Sequence, residues 1–425
     1  MKFYIETYGC TSNQGNSQDL AQALQEMGHI PSSLDEADAV IVNTCAVTER
    51  TERKILRRLR LLPGERLIVA GCLPAAIPES VRDIRCRCLL GLLDGSSANR
   101  IMEIFALAED AHSDDTHCDD ALSKRICSQD TFRTDLCAVV NVAEGCNGSC
   151  TYCIVKKARG CLKSRRSEGI ISEVETLASM GIAEIQISAQ DTASYGLDIG
   201  TNLGRLLEGL LEIPGDFKLR LGMMNPKSAQ AIQSKLSRAL ESPKVYRFLH
   251  IPVQSGSDRI LESMGRRYSA QDFLDVAGYF RSAYQDITII TDVIAGFPGE
   301  MEEDFQETMN IIDLLQPDKV NITRFSARPG TLAARLSDMP DRIKKDRSRE
   351  MTRLWLKIAL ERNQRYMGRL LEARVTEQGR DGSMKARADN YLGVVVKGCP
   401  RLGSSVRVLI EDCNAFYVTG RVVGD

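Results

Sequence analysis

The sequence predicts an α/β protein in three parts: an N-terminal α/β domain, an open, partial TIM-type barrel, and a small OB-like β-barrel at the carboxyl end. Three observations predict it. Apolar, strand-like runs alternate with helical periodicity over residues 1–110 and again over 136–335, which is the pattern of parallel βα units. From Met367 onward the helical period gives way to about five short β runs broken by Gly379, Gly382, Gly398 and Gly403, as in a small barrel. A chain of 425 residues is long enough for two or three domains. Boundaries are expected at 1–112, 113–135 (a linker), 136–366 and 367–425.

In the first part, strands are expected at 3–7, 39–43 and 67–70, with helices at 16–27 and 49–61. Thr48 is the expected N-cap of the second helix. Each strand runs into a cysteine, in Tyr8-Gly9-Cys10, Asn43-Thr44-Cys45 and Ala70-Gly71-Cys72. Carboxyl ends of parallel strands form the ligand crevice of an open sheet, so Cys10, Cys45 and Cys72 can converge on an iron–sulfur site. Gly9 and Gly71 would let the backbone approach it closely. The alternative is three buried cysteines acting as small apolar residues.

Residues 111–135 are polar and aperiodic and read as the linker. His112, His117, Cys118 and Cys127 fall there at a spacing that matches no standard metal site, and Cys86 and Cys88 read as spectators.

In the second part, strands are expected at 136–142, 184–188, 218–222, 247–252, 287–295 and 319–325, with helices such as 170–180, 270–284 and 303–315. In a TIM-type barrel the chemistry sits at the carboxyl ends of the strands. Residues 340–366 form a basic helix containing Lys344, Lys345, Arg347, Arg349 and Arg353, read as a solvated helix on the barrel's outside.

Composition excludes some classes of protein. Hydrophobic residues make up 43% and charged residues 26% of the chain, and the net charge is −2. That is ordinary for a soluble globular protein, and any nucleic-acid binding must come from local patches. No apolar run is long enough to span a membrane, and the N terminus reads as a strand rather than a secretory signal. Fourteen cysteines in such a chain point to metal or redox chemistry in a reducing cytosol.

The most specific feature is Cys146, Cys150 and Cys153, spaced C-x3-C-x2-C. Three thiolates can hold three irons of a [4Fe–4S] cube and leave the fourth open to a ligand, whereas closed sites use four ligands. Zinc is the alternative, with Cys161 as the only nearby fourth ligand. The spacing resembles the radical S-adenosylmethionine (SAM) signature, in which the open iron binds SAM and the reduced cluster cleaves it to a 5′-deoxyadenosyl radical. Candidate cofactor-binding residues follow the strands: Tyr152 in the loop itself, Gln190 with Asp191, Gln254 and Ser255, Gly296 and Phe297 in a Gly-Phe-Pro-Gly turn, and Arg328. Tyr152 also reads as ordinary packing. Lys156, Lys157, Arg159, Lys163, Arg165 and Arg166 make a basic run without an acid directly after the loop, either a solvated surface or a guide for an anionic polymer such as RNA.

Taken together, the two cysteine trios, the Gly-Phe-Pro-Gly-Glu turn and the C-terminal β module resemble the radical-SAM methylthiotransferases over essentially the whole chain. The resemblance implies an N-terminal methylthiotransferase domain with an auxiliary [4Fe–4S] cluster, a radical-SAM barrel with a second cluster and SAM, and a TRAM domain that grips RNA. Asn43-Thr44-Cys45-Ala46-Val47-Thr48, the Lys-x-Ala-Arg-Gly run ending at Gly160, and Gly222-Met223-Met224-Asn225-Pro226 resemble the branch acting on threonylcarbamoyladenosine in tRNA, the last two most closely its archaeal and eukaryotic version. That branch implies methylthiolation of adenine carbon 2 at position 37 in the tRNA anticodon loop. An unactivated aromatic C–H of this kind requires a radical cofactor. One SAM methylates a sulfur at the auxiliary cluster and another is cleaved. An electron donor such as ferredoxin or flavodoxin is implied; the sulfur donor is not. The animal version carries a hydrophobic C-terminal anchor, and its lack here favours a soluble, cytoplasmic enzyme with no membrane partner. Other branches act on isopentenyladenosine in tRNA or on a ribosomal-protein aspartate. A non-enzyme alternative is an iron–sulfur RNA-binding redox sensor.

Overall fold

The computed structural model describes residues 1–109, 136–379 and 382–423. The expected linker, with His112, His117, Cys118 and Cys127, lies outside the described residues. The chain forms two compact units. One comprises the described residues of 1–134 with Ile154–Gly160; the other comprises those of 135–153 and 161–425.

The first unit runs β1 (Lys2–Thr7), α1 (Thr11–Glu26), β2 (Ile30–Pro31), β3 (Ala39–Thr44), α2 (Glu49–Leu59), β4 (Leu67–Gly71), α3 (Cys72–Ala76), β5 (Cys88–Leu89) and α4 (Ser97–Glu109), joined by α5 (Val155–Arg159). Its sheet is wholly parallel, in the order β2-β1-β3-β4-β5. Every residue of β3 is buried. Such a strand must be covered on both faces. Ile41 and Ile68 meet Leu20 and Leu24 of α1 and Ile101 of α4. Val40, Val42 and Val69 meet Ile55 and Leu59 of α2 on the other face. Thr48 caps α2 as expected, accepting from the Thr51 amide at 3.3 Å. One expectation is corrected: α1 begins at Thr11 rather than at 16, with Cys10 in the N-cap position. Thr11-Ser12-Asn13-Gln14-Gly15 has poor intrinsic helix propensity, but Ser12, Asn13, Gly15 and Ser17 are buried, and tertiary contacts override the local preference.

The second unit begins with β6 (Cys137–Asn141), β7 (Ala143–Glu144), β8 (Lys163–Ser164), α6 (Ser167–Ser179), β9 (Glu184–Ser188), α7 (Leu203–Glu212) and β10 (Lys218–Leu221). It continues through α8 (Pro226–Ala231), α9 (Gln233–Leu240), β11 (Phe248–His250), α10 (Asp258–Ser263), α11 (Ala270–Ala283), β12 (Thr288–Ala295), α12 (Glu302–Leu315), β13 (Lys319–Arg324) and α13 (Asp341–Gln364). The main parallel strands form the groups β10-β9-β6 and β11-β12-β13. A parallel bridge between Leu219 and Val245 and a 2.9 Å bond from the Met224 amide to the His250 carbonyl link the groups. Among the described residues β6 and β13 are not paired, so the barrel stays open. Alternate strand residues, including Val140, Ile187, Leu219, Leu249 and Val293, share one core with the surrounding helices. Strand periodicity therefore turns Gln186, Arg220, His250, Asp292 and Asn321 to the opposite, inner face.

The helix α13 corrects the reading of a solvated helix. Lys344, Arg347 and Arg362 are buried and paired with Asp338, Glu300 and Asp318. Lys345, Arg349 and Arg353 remain exposed. Acids on the facing segments recruit one side of the helix, a feature that helical periodicity alone does not carry.

The chain ends in a closed barrel, β14 (Leu370–Gln378), β15 (Met384–Ala388), β16 (Gly393–Lys397), β17 (Ser405–Cys413) and β18 (Val418–Val422), in the order β14-β15-β16-β18-β17. It is fastened to the open barrel by Lys218–Asp389 at 2.6 Å and by Tyr391 donating to Glu184 at 2.9 Å.

Candidate functional site

The N-terminal trio is assembled by the ends of three parallel strands. Cys10 follows β1, Cys45 follows β3 and Cys72 opens α3 after β4. Cys45 and Cys72 are buried and Cys10 is exposed. Burial pushes the Cys45 thiol up to about 11, and the neighbouring Cys72 and Cys10 sulfurs add to the rise; a hydrogen bond at the Val47 backbone and the Arg159 charge oppose it. The glycines beside the cysteines are required. Gly9 has φ +113°, and a Cβ there would lie 2.9 Å from the Cys45 Cβ. Gly71 has φ +96°, and a Cβ there would lie 2.4 Å from Asn43 Oδ1 and 2.6 Å from the Thr44 backbone.

Asn13 organises this trio. Its Nδ2 donates to the Tyr8 carbonyl at 2.6 Å and the Thr44 carbonyl at 2.9 Å, the residues just ahead of Gly9 and Cys45. Its Oδ1 accepts from the Cys72 thiol at 3.8 Å and from Arg159 Nη2. Arg159 also donates to Asn16 Oδ1 at 3.1 Å and is only 7% exposed. Sequence reading missed Asn13, whose only signal is its place three residues after Cys10, one turn into a helix whose start was misplaced.

In the second unit, the Cys146–Cys153 loop is half-buried and tightly held. The Thr151 amide donates to the Met264 carbonyl and its hydroxyl to the Ser263 carbonyl, both at 2.9 Å. The Ala333 amide donates to the Thr151 carbonyl at 2.8 Å. Cys146 Sγ accepts from the Gly148 amide at 3.2 Å. A Cβ on Gly148 would lie 3.2 Å from Cys146 Sγ and 3.7 Å from Cys150 Sγ, so the glycine keeps the space between two thiols open. Among the described residues no three Cys, His, Asp or Glu side chains are grouped to share a single metal ion. Three thiols in one loop, with Gly148 keeping space between two of them, are a donor set that suits an iron–sulfur cluster with one iron left open. Cys161 is exposed.

Tyr152 is half-buried in an apolar group with Phe297, Phe325 and Met264. Its ring meets Phe297 edge-on at 6.3 Å, and its hydroxyl accepts from Arg266 at 2.6 Å. Gln190, Gln254, Gly296 and Arg328 all follow the carboxyl ends of barrel strands. Gln254 is 8% exposed and holds φ +70°, a left-handed conformation uncommon outside glycine and frequent at binding sites. No hydrogen bond to its side-chain amide occurs among the described residues. Ser255 is placed differently from expectation: it is fully buried, with its hydroxyl 3.3 Å from Thr308 Oγ1 and accepting from the Ser257 amide. At Gly296 the space of a side chain is filled by Lys344, whose Cγ would lie 2.3 Å from a Cβ, and Phe297 is fully buried. The Gly-Phe-Pro-Gly turn thus makes room for α13 and builds the apolar wall behind Tyr152.

Two further polar groups lie at this end: Asp191, named beside Gln190, and a His250–Asp292 pair that the sequence reading did not nominate. Asp191, 9% exposed, accepts from Ser194 at 2.6 Å, Ser228 at 2.7 Å and the Asn225 amide at 3.0 Å; burial nevertheless raises its carboxyl above the usual range. On the inner face His250 Nε2 lies 2.8 Å from Asp292 Oδ1, which also accepts from Asn321 at 2.7 Å. Strand alternation carries the only sequence signal for this pair.

Within the basic run, Lys156, Lys157, Lys163, Arg165 and Arg166 are exposed. Arg165 is committed to Glu173 at 2.7 Å and the Asn141 carbonyl at 3.0 Å. Arg159 is buried at the N-terminal trio, which withdraws it from any exposed RNA-facing surface.

Comparisons with known proteins agree with this architecture. Residues 140–312 match the radical SAM superfamily, residues 2–91 the uncharacterized protein family UPF0004, and residues 364–423 the TRAM domain. A probable threonylcarbamoyladenosine tRNA methylthiotransferase of Archaeoglobus fulgidus is 40% identical, covering 100% of this chain and 99% of its own length. A threonylcarbamoyladenosine tRNA methylthiotransferase of Danio rerio is 32% identical over 99% of this chain and 78% of its own. Among solved structures, the radical SAM methyltransferase TsrM of Kitasatospora setae, with cobalamin and a [4Fe-4S] cluster bound, shares the fold at TM-score 0.56 and 12% identity, covering 90% of this chain and 80% of that one. The open barrel behind a C-x3-C-x2-C loop is that of a radical SAM protein. The chain belongs to the threonylcarbamoyladenosine tRNA methylthiotransferase family.

Proposed function

We propose that this chain is a radical-SAM tRNA methylthiotransferase that adds a methylthio group to carbon 2 of N6-threonylcarbamoyladenosine at position 37 of tRNA. The observation that carries the reading is the full-length likeness to relatives of that name, at 40% identity in the archaeal case. The two cysteine trios supply the chemistry the reaction needs. In this reading Cys146, Cys150 and Cys153 hold one [4Fe–4S] cluster, and Cys10, Cys45 and Cys72 hold the second. The first cluster, when bound, supplies the electron that cleaves SAM.

The chain's own residues have separable tasks. Tyr152, backed by Phe297 and fixed by Arg266, orients the cysteine loop and shields it from water. Gln190, Gln254 and Arg328, at the carboxyl ends of the barrel strands, meet SAM or the modified base. Gln254 is the best placed of these, because its strained backbone fixes an amide with no protein partner among the described residues. The exposed Lys156, Lys157, Lys163, Arg165 and Arg166 meet the phosphates of the anticodon loop, and the C-terminal barrel, matched as a TRAM domain, grips RNA. A single-stranded loop gives up its base at little cost. The domain assignment is 1–112, 136–366 and 367–425, with 113–135 between. No described helix is long and apolar enough to cross a membrane. We place the enzyme in the cytoplasm, with ferredoxin or flavodoxin as electron donor.

Nucleosides from tRNA of a strain lacking the gene, with and without its restoration, test the reading by mass spectrometry. Loss and return of 2-methylthio-N6-threonylcarbamoyladenosine is expected. Unchanged tRNA would refute it and would turn the search to methylthioaspartate in ribosomal protein.

A further inference from the structure

We infer that Arg159 is a positioning residue for the N-terminal cysteine trio: a buried, fixed cation that stabilises the anionic metal–sulfur group held by Cys10, Cys45 and Cys72. This rests on the reading of that trio as a cluster site.

Three observations carry it. Arg159 is 7% exposed, although it belongs to a run whose other five cations are exposed. Its side chain is aimed: Nη2 donates to Asn13 Oδ1 and, at 3.1 Å, to Asn16 Oδ1. The same Asn13 Oδ1 accepts from the Cys72 thiol at 3.8 Å, so one oxygen lies within reach of both the guanidinium and a sulfur of the trio. The helix carrying Arg159 is built into the same core as the cysteines, with Ile154 2% exposed in a cluster that includes Cys45 and Cys72.

A [4Fe–4S] core bound by three thiolates is an anion when oxidised and carries one further negative charge when reduced. A cation fixed beside it, away from solvent screening, favours the reduced form. Removing that cation lowers the midpoint potential, and so does cancelling it with a neighbouring carboxylate. Arginine suits the position because its planar fork engages two amide oxygens while the charge stays delocalised toward the sulfurs.

The test is an EPR-monitored redox titration of the reconstituted full chain carrying Cys146→Ala, Cys150→Ala and Cys153→Ala, so that only the N-terminal trio holds a cluster. In that background Arg159→Gln is expected to shift the oxidised-to-reduced ratio at fixed potential about tenfold toward oxidised, about 59 mV for a one-electron couple. Asn16→Asp, nearly isosteric and leaving every cysteine and Arg159 in place, is expected to shift it the same way by pairing with the guanidinium. Arg159→Lys, which keeps the charge, should stay within threefold of the parent. If Arg159→Gln does not fold or load iron, Asn16→Asp decides alone. Iron bound with an unmoved potential in Asn16→Asp would overturn the inference and leave the cluster reading standing, as would an equal drop in the Lys and Gln variants. No iron in the parent background would overturn the cluster reading, and this inference with it.

Discussion

Arg266 donates to the hydroxyl of Tyr152 across 2.6 Å, tying the residue between Cys150 and Cys153 to the turn that follows α10. Burial raises the Tyr152 phenol well above its usual range, with the Arg266 charge opposing, so the pair is a neutral phenol on a permanent cation. The bond is made by Nη2, and Arg266 Nε has no hydrogen-bond partner among the described residues. Tyr152→Phe keeps the ring packing on Phe297 and strands the guanidinium. The expected cost is about 1–3 kcal/mol of stability, read as a lower urea midpoint with an unchanged slope. Combining Arg266→Met with Tyr152→Phe should recover part of it, because both polar partners are then gone.

Gly148 separates the thiols of Cys146 and Cys150. Gly148→Ala puts a methyl group 3.2 and 3.7 Å from the two sulfurs, inside the space a cluster must fill. Iron and acid-labile sulfide per chain should fall toward half of the wild-type content, with the N-terminal trio still loaded. Full content in the variant would show that the cradle is not where the loop holds its metal.

Asp304 supports the loop beyond β11 from α12. It accepts from Ser257 at 2.7 Å and the Met301 amide at 2.7 Å, and it pairs with Arg259. Burial pushes its carboxyl up, but the hydrogen bonds from Arg259, Ser257 and the Met301 amide outweigh this and leave it below its ordinary 3.8. A carboxyl lowered in the folded state contributes stability that is full above its unfolded value and is lost as pH falls through the folded value. Asp304→Asn should therefore be less stable than wild type by about 1–3 kcal/mol at neutral pH. The gap should narrow as the medium is acidified below pH 3.8. Urea midpoints of the two proteins at several pH values measure it; a constant gap would remove the carboxylate from the account.

Much of this architecture was legible because it rests on periodicity and on spacing. Parallel strands buried on both faces read as apolar runs, and the cysteines fall at their ends because that is where an open sheet gathers ligands. What was not legible depends on tertiary geometry. Asn13 looks like any polar residue until the Tyr8 and Thr44 carbonyls are seen on either side of it. Arg159 is indistinguishable in sequence from Lys156 and Lys157, and only its burial separates them. Ser255 and Gly296 sit in the right turns but face Thr308 and Lys344, since a motif identifies a turn without giving the direction of each side chain. His250 and Asp292 lie on different strands, and their 2.8 Å approach follows from sheet register.

If each cysteine trio holds its own cluster, breaking them should fail in different ways, and this separates the two-cluster reading from a single-cluster one. Cys150→Ala removes a thiol of the loop in the second unit, so in this reading reductant-dependent release of 5′-deoxyadenosine from SAM should fall to background and no modified tRNA should form. Cys45→Ala removes a buried member of the other trio. Its thiol is held protonated by burial, up to about 11, in the metal-free protein, so the small apolar replacement is tolerated by the fold. The variant should keep SAM cleavage, lose about half its iron and make no methylthio product. Both activities are read on one preparation: 5′-deoxyadenosine by chromatography, 2-methylthio nucleoside by mass spectrometry of digested tRNA. Methylthio product from the Cys45 variant would remove the N-terminal trio from the reaction. Loss of SAM cleavage in that variant would make the two trios one functional site instead of two.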